Sequence, residues 1–94
     1  MAEAGTVLIG RKPAMSYVLA LITGLSASNV KEITLKARGR SIATAVDVVE
    51  IARRRFIKDM KVNKIAIGTE ELPAREGENR ARMVSTIEIT VTKE

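Results

Sequence analysis

Apolar positions change their spacing along the chain, and each change marks an element. Residues 6–9, Thr-Val-Leu-Ile, read as a short buried strand, and Gly10 to Lys12 as a turn. Pro13 suits a first helical position, because its fixed φ matches the helix and its missing N–H is not needed there. Residues 14–25 then form a helix that is apolar on almost every side, with Ser16 and Thr23 as its polar edge. Such a helix is covered on both faces or meets a partner. After a polar loop over 26–29, residues 30–36 alternate, Ile33 and Leu35 against Glu32, Thr34 and Lys36, which marks a strand with one buried face.

A second helix runs over about 41–56. Ile42, Ala45, Val46, Val48, Val49, Ala52 and Phe56 form one apolar arc, wider than packing on a single sheet requires. Asp47, Glu50 and Arg54 share the solvated side, and Arg53 to Arg55 fall in the last turn, where cations favour a helix C-terminus. Residues 62–72 carry a strand pattern in Val62, Ile65, Ile67 and Leu72. Residues 83–92 carry another, with Met83, Ser85, Ile87, Ile89 and Val91 on one face. The polar segment 73–82 between them reads as a long hairpin tip. The order is βαβαββ: an α/β two-layer sandwich, with two helices on one face of a four-stranded mixed sheet.

Composition narrows the class. The chain has 94 residues, 46% of them apolar, and a net charge of +5. One domain over 1–94 is expected, small enough that oligomerisation is a reasonable route to stability. A basic balance suits nucleic acid, and also allows an acidic membrane surface or an acidic protein. Cysteine and histidine are both missing, which removes disulfides, thiolate metal sites and the commonest general base. No metal or other cofactor is called for. Tyr17 and Phe56 are the only aromatics, against a base-stacking platform on the sheet. The first residues lack the pattern of a signal peptide, and the apolar stretch 14–25 is short of the roughly 20 residues a bilayer span needs. A soluble, cytoplasmic protein with no membrane partner is expected.

Two short segments carry the candidate chemistry. Lys36-Ala37-Arg38-Gly39-Arg40-Ser41 closes a strand and opens a helix, with Ser41 at the expected N-cap. A helix N-terminus presents unpaired N–H groups and partial positive charge, so Arg38 and Arg40 there make a corner for phosphate. Gly10-Arg11-Lys12-Pro13 makes a second corner of the same kind. Two such corners in one basic chain point to a polyanion, and nucleic acid fits best.

These segments also carry a resemblance. Val7 to Pro13, then Tyr17-Val18-Leu19, then Ile33 to Arg40, and finally Ser85 to Ile89 resemble the Alba family of archaeal nucleoid proteins, in order and with matching spacing. The resemblance implies a chromatin protein, associated with the chromosome, that binds double-stranded DNA with little sequence preference, and RNA as well. It implies a homodimer, or a heterodimer with a paralogue, whose two hairpins extend as arms along the minor groove, and further assembly on DNA. It places nucleic-acid contacts at Arg11, Lys12, Arg38, Arg40, Arg75, Arg80 and Arg82, with Tyr17 near the same surface. Family members often carry lysine where this chain has Arg11, which cannot be acetylated.

Plainer readings stand beside these. Arg38 and Arg40 also fit surface charges paired with Asp47 or Glu50, and the hairpin arginines alternate with Glu76 and Glu78 as in a solvated loop. Asp47 and Glu50, three apart, would be the start of a Mg²⁺ site in a metal-dependent nuclease, but the pattern supplies no third carboxylate nearby. A binder acting on structured RNA or ribonucleoprotein is the other alternative. Val48, Val49, Ala52 and Phe56 are the residues expected to meet another chain; for Phe56 the resemblance points to a contact between dimers.

Overall fold

The structure is a computed structural model that describes residues 5–27, 30–77 and 79–93. Part of the loop expected over 26–29, and Glu78 in the hairpin, lie outside the described residues. Strand β1 (Thr6–Leu8) leads to helix α1 (Ala14–Ser26), strand β2 (Glu32–Arg38) and helix α2 (Ser41–Ile51). Helix α2 runs on into a single π-helical turn, Ala52–Phe56, closed by the Ile57 N–H on the Ala52 carbonyl at 2.7 Å. Strands β3 (Met60–Leu72) and β4 (Arg82–Lys93) complete the expected βαβαββ order.

The sheet order is β1-β2-β4-β3, with β1 parallel to β2 and the other neighbours antiparallel. Val7, Ile33, Leu35, Ala37, Ile87, Ile89 and Val91 point to the helix side and are buried. They meet Val18, Leu21 and Leu25 from α1, and Ala45, Val48, Val49 and Ala52 from α2 and the π turn. Gly24 marks the closest approach of α1 to the sheet, since a Cβ there would fall 2.5 Å from Ile33 Cδ1. Each large aliphatic side chain buried this way contributes about 1.5–3 kcal/mol.

The helices pack over β1, β2, β4 and the start of β3, where Met60 is buried and Val62 half-buried, and leave the same face of β3 uncovered from Ile65 onward. Ile65 is 60% exposed and Ile67 83%, although both point to the helix side beside Ile89 and Ile87. A β-bulge between Val62 and Lys64 explains how Val62 and Ile65, three apart, share that face: the extra residue resets the two-residue period. Leu72 falls on the opposite face, in register with Arg82.

Val48, Val49 and Ala52 are corrected by this arrangement. All three are buried in the chain's own core and offer no surface to a second chain. The wide arc of α2 divides instead. Ala45, Val48, Val49 and Ala52 enter the core, while Ile42 is half-buried and Val46 exposed on the side toward bare β3. Phe56 stays 51% exposed.

Candidate nucleic-acid interface

Parallel pairing of β1 and β2 puts both basic corners at one end of the sheet. Leu8 is in register with Lys36, and the Ile9 N–H donates to the Lys36 carbonyl at 2.9 Å, so the chain leaves both strands side by side. The two corners are then fastened together. The Ser41 hydroxyl donates to the Gly10 carbonyl at 3.3 Å. Ser41 is therefore not the N-cap that its position suggests: Arg40, in helical conformation, takes that place without a side-chain cap bond, and the hydroxyl joins the loops. Pro13 likewise precedes the helix, which begins at Ala14.

Tyr17 is the second fastening. Its ring is buried, and its hydroxyl accepts the Gly10 N–H at 2.9 Å and the Lys12 N–H at 3.0 Å. Through these two bonds Tyr17 holds Arg11 and Lys12 in place from beneath. Tyr17 thus positions the surface that Arg11 and Lys12 present. Gly39 is the third fastening. At φ 57° it turns the chain where another residue would cost roughly 1–2 kcal/mol, and its N–H donates to the Ser85 carbonyl at 2.9 Å. Arg11, Lys12, Arg38 and Arg40 are all exposed around this knot.

The hairpin leaves from the same end. Arg38 pairs with Thr86 in the last row that β2 contributes. Beyond it β3 and β4 continue alone through Thr69↔Ser85, Glu70↔Val84, Glu71↔Met83 and Leu72↔Arg82. Those rows carry the arm roughly 13 Å past the corner at about 3.3 Å per residue, and the molecule measures 48 × 23 × 21 Å. Residues 73–81 lie beyond the ladder, with Arg75 and Arg80 exposed. The Arg82 Nε is enclosed without a hydrogen-bond partner among the described residues.

The remaining charges sort differently. Arg38 does not pair with Asp47 or Glu50; its Nη1 lies 3.0 Å from Glu70 Oε1. Glu50 binds Arg53 at 2.8 Å and lies 3.9 Å from Arg54, so these arginines serve the helix end. That end is roughly 20 Å along the helix from the corner. Among the described residues, no group of three or more His, Cys, Asp or Glu is placed to hold a metal ion. Among the described residues, no helix is long and apolar enough to cross a membrane.

Three features escaped the sequence reading. Glu70 as the partner of Arg38 depends on the sheet order, which local spacing does not encode. The Tyr17 clamp had a signal, an only tyrosine one turn inside a helix that follows a basic loop. The bare face at Ile65 and Ile67 had one too, two apolar residues alternating within a strand whose other face is polar.

The chain has counterparts among known proteins. The sequence model of one family, described as Alba, matches residues 5–69. A Picrophilus torridus protein named DNA/RNA-binding protein Alba is 43% identical over 93 residues, covering 99% of this chain and all of the relative. A Thermoplasma volcanium protein of the same name is 45% identical over 93 residues, with the same coverage. The solved structure of Alba from Thermoplasma volcanium superposes with a TM-score of 0.83 at 44% identity, covering 94% of this chain and 99% of that one.

Proposed function

The chain belongs to the Alba family, and on that premise we propose that it binds double-stranded DNA and RNA without strong sequence preference, coating or compacting the chromosome as a dimer. The observation that carries this reading is the convergence of Arg11, Lys12, Arg38, Arg40 and the arm arginines on one end of the sheet. Lysine and arginine there displace condensed counterions from phosphates, a source of affinity that ignores base identity. The corner meets the backbone, and the arm, two strands wide with arginines at its tip, reaches along a groove. The relatives' name, DNA/RNA-binding protein Alba, supports both targets. The protein does no chemistry on its target in this account, and Glu50 is occupied by Arg53 and Arg54.

The dimer surface in this reading is the bare half of the sheet. Ile42 and Ile67 line one groove between α2 and the β3–β4 pair, with exposed Val46 and Ile65 on the same helix side. A two-fold copy covers this surface and sets two corners and two arms on one assembly, which raises affinity through effective concentration. Phe56, exposed at the far end of α2, is left for contacts between dimers.

Competition between unrelated DNA duplexes and an RNA duplex, with solution mass measured in parallel, tests the reading. Comparable affinity for unrelated duplexes and a dimeric mass that Ile67→Glu converts to monomer are the expected results. Strong preference for one short site, or a wild-type monomer at micromolar concentration, contradicts it.

A further inference from the structure

One contact at the basic end opposes the others. Among the described residues, Arg38 is the sole cation of the corners and arm with a carboxylate partner. That partner does not come from the corner. Glu70 stands on β3, in the first part of the arm that β2 no longer accompanies, two strands away from Arg38.

The sheet is built to let the pair form. Arg38, Thr86 and Gly68 make one row across β2, β4 and β3, and Glu70 follows Gly68 on the same face of β3. Neighbouring strands lie about 4.8 Å apart, so the Arg38 side chain has to cross the whole of β4 to meet Glu70. The lane it crosses holds a short side chain and then none. A Cβ on Gly68 would come within 3.2 Å of Thr86 Oγ1 and crowd that lane. The contact at its end, Arg38 Nη1 to Glu70 Oε1 at 3.0 Å, uses one guanidinium nitrogen, with the two side chains 57% and 48% exposed. A single-pronged pair in that much solvent is held weakly and is open to exchange.

We propose that Glu70 is an intramolecular competitor for Arg38, a carboxylate that occupies this arginine in the free protein and that phosphate has to displace. The inference rests on the nucleic-acid reading above and names the residue that restrains it. A guanidinium favours carboxylate and phosphate by the same geometry, so both seek the same donors. When phosphate takes Arg38, the freed carboxylate stays beside a polyanion, and binding is weaker by the pair lost and the repulsion gained. Glu70 also ties the root of the arm to the corner, so the same exchange releases the arm from the body. The net effect is a lower, more reversible affinity from one residue that contacts no nucleic acid.

A double-mutant cycle with a labelled DNA duplex tests this on the full chain. Glu70→Gln keeps the shape and removes the charge; Glu71→Gln makes the same change one residue away, on the opposite face of β3. Glu70→Gln is expected to tighten binding about two- to fivefold, the range of an exposed ion pair, and by more than Glu71→Gln. In an Arg38→Ala background the advantage of Glu70→Gln over Glu71→Gln vanishes. It also shrinks as salt rises, because screening weakens the pair it removes. Unchanged affinity for Glu70→Gln in a wild-type background that does bind overturns the proposal while the nucleic-acid reading stands. A full gain that persists without Arg38 also overturns it, since plain repulsion then accounts for the effect. Failure of wild type to bind any duplex at low salt overturns both.

Discussion

The corner and the arm carry the same residue type toward the same target and are built in opposite ways. The corner is short and fastened: Tyr17 holds two backbone N–H groups of the first loop, Ser41 joins that loop to the second, and Gly39 pins the second to β4. The arm is long, tied to the corner at its root by the Gly39–Ser85 bond and the Arg38–Glu70 pair, and beyond them supported by its own ladder, which ends at Leu72↔Arg82 before the tip begins. Ordering a charged side chain on binding costs conformational entropy, and a fastened backbone has already met part of that cost. In the proposed reading the corner therefore supplies affinity per residue, and the arm supplies reach along the target.

Breaking the corner has the largest expected effect. Arg11→Ala combined with Arg40→Ala removes two charged contacts, each about 1.5–3 kcal/mol when made to an ionised partner. Affinity for every duplex falls by about a hundredfold or more. The slope of log K against log salt shrinks by about 0.9 for each phosphate given up. Both side chains are exposed, so the thermal melt stays where it was; an early melt with normal binding once folded makes them structural.

Removing the arm tip comes next. Replacing residues 74–80 by Asn-Gly, a favoured two-residue hairpin turn, leaves a folded dimer, because none of the described tip residues belongs to the core. Affinity falls about tenfold, the size of one charged contact, and the footprint on DNA shortens. In the intact protein, trypsin cuts first at Arg75 or Arg80, and DNA slows that cut. Unchanged affinity and footprint after the replacement make the tip a passive loop.

Loosening the corner without touching charge sharpens the comparison. Tyr17→Phe takes away the acceptor of two N–H groups and lowers stability by about 1–2 kcal/mol. Binding weakens a few fold at unchanged salt slope, because the number of phosphate contacts is kept. The rate of tryptic cutting in the arm does not change. Ser41→Ala has the smallest effect, under about 1 kcal/mol, since it deletes one long hydrogen bond at the joint.

The two regions also differed in how far the sequence disclosed them. The corners were visible because strand end, glycine, basic residues and helix start are local signals, and Gly39 stands where a positive φ is needed. The alternation over β4 put Met83, Ser85, Ile87, Ile89 and Val91 on one face, and that face is core at Ile87, Ile89 and Val91 but bare at Met83 and Ser85, where the strand has run past the helices. What local spacing does not contain is which strands are neighbours. The order β1-β2-β4-β3 decides that β3 is an edge, that Ile65 and Ile67 stay bare, and that Glu70 meets Arg38. The same gap explains Val48, Val49 and Ala52. A helical arc shows which residues are apolar, and only the position of the sheet beneath shows which of them it covers.

The most direct test of the account is a salt titration of wild type with two unrelated DNA duplexes of equal length. Binding that falls steeply and linearly in log K against log salt, with one slope of several units shared by both duplexes, is the result expected of phosphate contacts made by a basic corner and arm. A flat response to salt, or slopes and affinities that part widely between the two sequences, would contradict it.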